Sequence, residues 1–200
     1  MGADMRKILA VALLLALAGC AKPLEVGSIT EIKPPPGTQG VDVYAGRRAA
    51  GEKVPEFAGD QIIEVRTFAK TGEDLAGEEF PGAACKVTAR DFSAEITTPA
   101  KVRVPIYRAQ SSPLAVQCTK DGYKPRMIEV AAFNETKASR YTAAGGGGLV
   151  GFLVVTAVNA ASDETTHDFK YPVAQVMMEK IAAGKTASAT EPAKEAAKTN

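Results

Sequence analysis

The sequence predicts a mainly β protein, a small antiparallel β-sandwich with one packed apolar helix. Three observations point there. Six short segments between Gln61 and Phe133 alternate apolar and polar residues with a period of two. Turn signals separate them at Pro81-Gly82, Thr98-Pro99, Ser111-Ser112-Pro113 and Asp121-Gly122. Beyond the N-terminal segment, one charge-free run, Ala143 to Val158, has helix length and no such alternation. The chain has 200 residues, enough for one domain with tails.

The elements follow in chain order. Read from Met5, the start is MRKILAVALLLALAGC, and the acidic Asp4 ahead of it favours Met5 over Met1 as the true start. Arg6 and Lys7 make a positive n-region before the ten-residue apolar run Ile8 to Leu17, too short to span a bilayer. This is the layout of a secretory signal over residues 1–19. Its end, Leu17-Ala18-Gly19-Cys20, resembles the bacterial lipobox, which implies a diacylglyceryl group on Cys20 and cleavage just before it. Ala21 in place of Asp favours the outer membrane, by analogy with enterobacterial sorting. Two or more acyl chains hold a protein stably where one does not, so a triacylated Cys20 anchors the chain without a transmembrane helix.

Residues 20–58 read as a tether, punctuated by Pro34-Pro35-Pro36-Gly37 and poor in large apolar residues. Val41, Val43 and Tyr44 alternate enough for a short edge strand. The expected domain spans residues 59–182. Its strands are Gln61–Phe68, Ala83–Ala89, Phe92–Thr97, Lys101–Tyr107, Leu114–Thr119 and Met127–Phe133. Pro105 falls inside one of them and marks an edge or a bulge, because it has no N–H to give a ladder.

The apolar run then supplies a helix, Leu149 to Ala161, expected to cover one face of the sheet through Phe152, Leu153 and Val155, with Gly145 to Gly148 as its entry loop. Sixteen residues of helix reach about 24 Å, short of the ~30 Å hydrocarbon core. The competing expectation is that segment 143–158 inserts in a membrane or self-associates, since Ala143, Gly147 and Gly151 form a small-residue ridge. Phe169–Ile181 reads as a last strand. Residues 183–200 lack apolar anchors and read as a disordered tail.

Cys85 and Cys118 are the cysteines left once Cys20 is lipidated. Each shares the apolar parity of its strand, and an exported chain sits where disulfides persist, so the two are expected to be bonded. Their spacing is not that of a zinc site, and the single His167 cannot complete one.

Thr97-Thr98-Pro99-Ala100-Lys101-Val102-Arg103-Val104, then Pro113 to Cys118, then Gly122-Tyr123-Lys124-Pro125, resemble a PEGA-type module, a small β domain of envelope-associated bacterial proteins. The cysteine pair and the Gly-rich run followed by Tyr171-Pro172 resemble a group of bacterial lipoproteins of unknown function. The resemblance implies a fold and a place, and carries no catalytic residues.

Charge is balanced, 24 Lys+Arg against 23 Asp+Glu, with no basic block to bind nucleic acid. There is no G-x-S-x-G elbow, and Gly145 to Gly148 lead into Leu149-Val150 where a phosphate loop has Lys-Ser/Thr. Asp163, Glu164, His167 and Asp168 read as a solvated loop, with metal binding as the sharper alternative. The expectation is a non-enzymatic lipoprotein without cofactor or metal. It would be a structural or interaction module on the periplasmic face of the outer membrane, with an envelope protein or glycan as partner. The alternative is a membrane-active or self-assembling lipoprotein working through residues 143–158.

Overall fold

The computed structural model describes residues 23–71, 75–144 and 148–181. The signal, Cys20, the glycines 145–147 and the tail 183–200 lie outside the described residues. The fold is mainly β. One sheet holds β1 (Ile29–Glu31), β2 (Gly59–Thr71), β3 (Leu75–Glu79), β6 (Ala100–Ile106) and β11 (Ala174–Met178). The other is a four-stranded antiparallel sheet of β4 (Ala84–Thr88), β5 (Ser93–Thr97), β7 (Leu114–Thr119) and β8 (Arg126–Val130), in the order β5-β4-β7-β8. The interior strands match the sequence reading because their alternation is strict. In β4, β5 and β7 every second residue is buried.

Among its antiparallel pairs the first sheet also holds two parallel ones. β1 runs parallel to β6, and β11 runs parallel to β2. Both come from far along the chain, and parallel pairing requires such long connections. β2 is the spine. Val65 pairs with Ala100 of β6 and with Ala174 of β11, on opposite flanks. Further along, β3 takes over β6's flank, with Phe68 opposite Glu79.

The inner faces of the two sheets form one core, including Ile63, Val65, Val102 and Val104 from the first and Val87, Leu114 and Val116 from the second. Single β-bridges stitch the sheets at both edges, Lys33 to Ser93 and Tyr123 to Lys180. At the second edge, Tyr123 follows Gly122, whose φ of 80° suits glycine, and its ring stacks on Phe80 at 4.3 Å. β1 pairs β6 only over Lys101–Arg103, so at Pro105 the strand has β2 as its sole ladder partner and is locally an edge.

The segment read as a tether is largely built into the domain. Besides β1, it buries Ile32, Val43 and Tyr44 and forms a short helix α1 (Ala45–Ala49). Val43 and Tyr44 stand in a turn rather than a strand. Few apolar residues suffice here because side-chain hydrogen bonds hold the coil. Asp42 accepts from Arg48 Nη1 (2.8 Å), from the Tyr107 hydroxyl (3.1 Å) and from the Tyr44 N–H (3.2 Å). The Tyr107 oxygen in turn accepts from Val43 N–H at 2.9 Å. Farther upstream, the backbone of Leu24 is clasped by an ion pair. Its N–H donates to Glu79 at 3.1 Å and its carbonyl accepts from Arg66 at 3.2 Å.

The stretch read as a single strand over Phe169–Ile181 is two. β10 (Phe169–Lys170) pairs with β9 (Phe133–Asn134), and the chain breaks at Tyr171-Pro172-Val173 before β11. Pro172 removes a donor at the break.

Candidate functional site

Between β9 and β10 the chain makes a helical hairpin, α2 (Glu135–Ala144) and α3 (Gly148–Ala161). Asn134 starts it. Its Oδ1 accepts from Lys137 N–H at 2.9 Å, an N-terminal cap. The amide oxygen being engaged, Nδ2 faces His167 Nδ1 at 2.8 Å, so Nδ1 accepts and the ring proton sits on Nε2. Arg108 donates from Nη1 to the His167 carbonyl at 3.0 Å. It does so from a φ of 51°, a left-handed conformation uncommon for a residue with a side chain. His167 is buried at the hairpin's foot, beside a cleft of about 310 Å³ also lined by Gln61, Ile106 and Lys170.

The acids of the Asp163–Asp168 loop are engaged with its own backbone and with α2. Asp163 caps the turn Glu164–Thr166 by accepting from the Thr165 N–H at 2.9 Å and its hydroxyl at 2.7 Å, and those bonds hold its carboxyl below the usual range. Glu164 pairs with Lys137, which lowers its carboxyl likewise. His167 Nε2 has no hydrogen-bond partner among the described residues. Among the described residues no group of three His, Cys, Asp or Glu side chains converges.

The helix does not cover the sheet, contrary to expectation. The two sheets cover each other, which leaves no open apolar face for it. The main packing partner of α3 is α2. Leu153 is 58% exposed, Val154 57% and Val158 48%, while Val155 is half-buried. The side chain of Phe152 lies outside the description. Asn159 is buried toward α2, its Oδ1 accepting from Arg140 at 3.0 Å. Gly148, expected in the loop, opens the helix. Among the described residues no helix is long and apolar enough to cross a membrane.

Cys85 and Cys118 stand directly opposite each other on β4 and β7, with Cα atoms 4.1 Å apart and sulfurs at disulfide distance. Both are in the core. Comparison with family models, curated proteins and solved structures returns no match.

Proposed function

We propose that this chain is a non-catalytic interaction module of the bacterial envelope, anchored in the outer membrane by acylated Cys20, and that the α2–α3 hairpin is its working surface. The exposed apolar side of α3 carries the reading. A helix apolar on its outer side belongs against something other than water. Its exposure moves the alternative reading, action through residues 143–158, into the main one. The β domain then serves as a PEGA-like stand for the hairpin. The lipobox-like end of the signal supports the anchor, and the short reach from Cys20 to the clasped Leu24 keeps the domain close to it.

The test has two arms in intact cells. Replacing Cys20 with Ser should release the protein from the membrane fraction. A photocrosslinking residue at Val154 should give adducts, to protein or to lipid, that the same residue at Met127 on β8 does not. A chain that stays membrane-bound without Cys20 removes the anchor. A Val154 probe that gives no adduct removes the hairpin as the contact surface.

A further inference from the structure

We propose that His167 is an acid-sensitive latch at the foot of the α2–α3 hairpin. As a neutral ring it holds the foot in place. On gaining a proton it uncaps α2 and lets the foot loosen. This concerns how the hairpin is mounted and is independent of what its exposed face meets.

The contact between Asn134 and His167 admits one charge state of the ring. Asn134 Oδ1 is committed to the Lys137 N–H, so Nδ2 is the atom that meets His167 Nδ1, 2.8 Å away. A neutral ring answers that donor with a lone pair. A protonated ring carries N–H groups on both nitrogens, and two donors then face each other. Turning the amide over gives Nδ1–H an acceptor but takes it from the Lys137 N–H, and with it the cap of α2. Nε2 brings the charge no relief, being buried without a partner among the described residues. An imidazolium would also stand at the N-terminal end of α2, where the helix dipole opposes positive charge.

The charged groups around the ring do not repair this. Arg108 adds a positive charge, with Nη1 on the His167 carbonyl. Asp60 at the start of β2 is paired with Arg103 at 2.9 Å, Glu135 of α2 with Lys170 of β10 at 2.6 Å, and Glu164 with Lys137. Asp163 is bonded to Thr165. Asp163, Glu164 and Asp168 are all exposed, whereas the ring is buried. The carboxylates that favour an imidazolium therefore stand in water, and a charged ring gains by swinging out toward them. Release takes up a proton, so acid drives it. What it frees is lightly held. α2 packs mainly on α3 and β10, and β10 pairs with β9 over two residues.

His167 is the only histidine in the chain, so every imidazole signal is its own. The full acylated chain in detergent micelles is followed by NMR from about pH 8 to about pH 5, the range in which histidine ordinarily changes charge. The ring should start with its proton on Nε2 and take up a second. Over the same interval, protection of the Lys137 amide against exchange with water, taken relative to the unfolded rate at each pH, should fall several-fold. The amide of Val116, in the core, should keep its protection. Asn134→Asp retains a capping oxygen for α2 and sets an acceptor against the protonated ring, so there the Lys137 protection should hold at both ends of the range. His167→Phe cannot titrate and should show no pH dependence at Lys137. Should that variant fail to fold, Asn134→Asp still decides. A ring that gains its proton while Lys137 stays protected overturns the latch, as does a ring that stays neutral down to the acid limit. A loss of protection that persists undiminished in Asn134→Asp overturns the Asn134–His167 contact as its cause.

Discussion

Gln61 takes both backbone polar groups of Tyr171. Its Nε2 donates to the Tyr171 carbonyl at 2.9 Å and its Oε1 accepts the Tyr171 N–H at 2.8 Å. A side-chain amide thus stands in for a strand neighbour where the chain breaks between β10 and β11. Gln61→Ala leaves the N–H and the carbonyl of a buried residue unmet, and should cost about 1–3 kcal/mol. Urea unfolding monitored by circular dichroism measures it. An unchanged midpoint would show that water replaces the amide.

The Cys85–Cys118 link joins neighbouring strands at the centre of the second sheet. Alkylation of the unfolded, unreduced protein should leave both sulfurs unlabelled. Cys118→Ala should destabilise by about 2–5 kcal/mol, read from the same urea transition. Two labelled thiols would show that the pair is reduced.

The hairpin and the core should answer mutation in opposite ways. Leu114→Ala empties a fully buried site and should cost about 2–5 kcal/mol. Leu153→Asp, at an exposed site, should move stability by less than about 0.5 kcal/mol. A thermal melt of each variant decides. Unfolding by Leu153→Asp would put that side chain back in a core.

The coil at Asp42 to Tyr44 should be sensitive at both ends of the pH scale. Burial pushes the Asp42 carboxyl up, but Arg48, the Tyr44 N–H and the Tyr107 hydroxyl outweigh it, and the carboxyl ends below its ordinary value. A carboxyl lowered on folding stabilises above its unfolded pKa of about 3.9, and the contribution disappears as pH falls through the folded value. Burial, and then the bond to Asp91, raise the Tyr44 hydroxyl to about 12; burial raises Tyr171 to about 12. These groups stabilise fully below the unfolded tyrosine value near 10 and lose it as pH climbs toward 12. Urea midpoints should therefore fall below about pH 4 and above about pH 10. Asp42→Asn should flatten the acid limb, and Tyr44→Phe should soften the alkaline one.

Most strands of the two sheets were legible because alternation follows directly from having one buried face; β1 and β3, short strands of the first sheet, were not. Cys85 and Cys118 were legible for the same reason, since parity put both sulfurs inside. Three other things were not. The docking of residues 29–58 rests on hydrogen bonds of Asp42, Arg48 and Tyr107 with partners up to 65 residues apart, which no local pattern records. Helix α2 lacks an apolar stripe, so periodicity passed it by. The placement of α3 followed from supposing one sheet in need of cover. Composition does not tell how many sheets a set of strands will make, and here the second sheet took the place assigned to the helix.

The clasp on Leu24 lies near Arg66 on β2, while the hairpin's foot lies at the other end of the same strand, near Gly59 and Gln61. The two are about 23 Å apart along the strand, at 3.3 Å per residue. If Cys20 anchors the chain and the hairpin makes the contact, the load between them runs along β2, which carries Arg66 toward one attachment and Gln61 toward the other. That strand has ladder partners on both flanks, β6 on one and β11 on the other, so it is the member of the sheet placed to act as a strut.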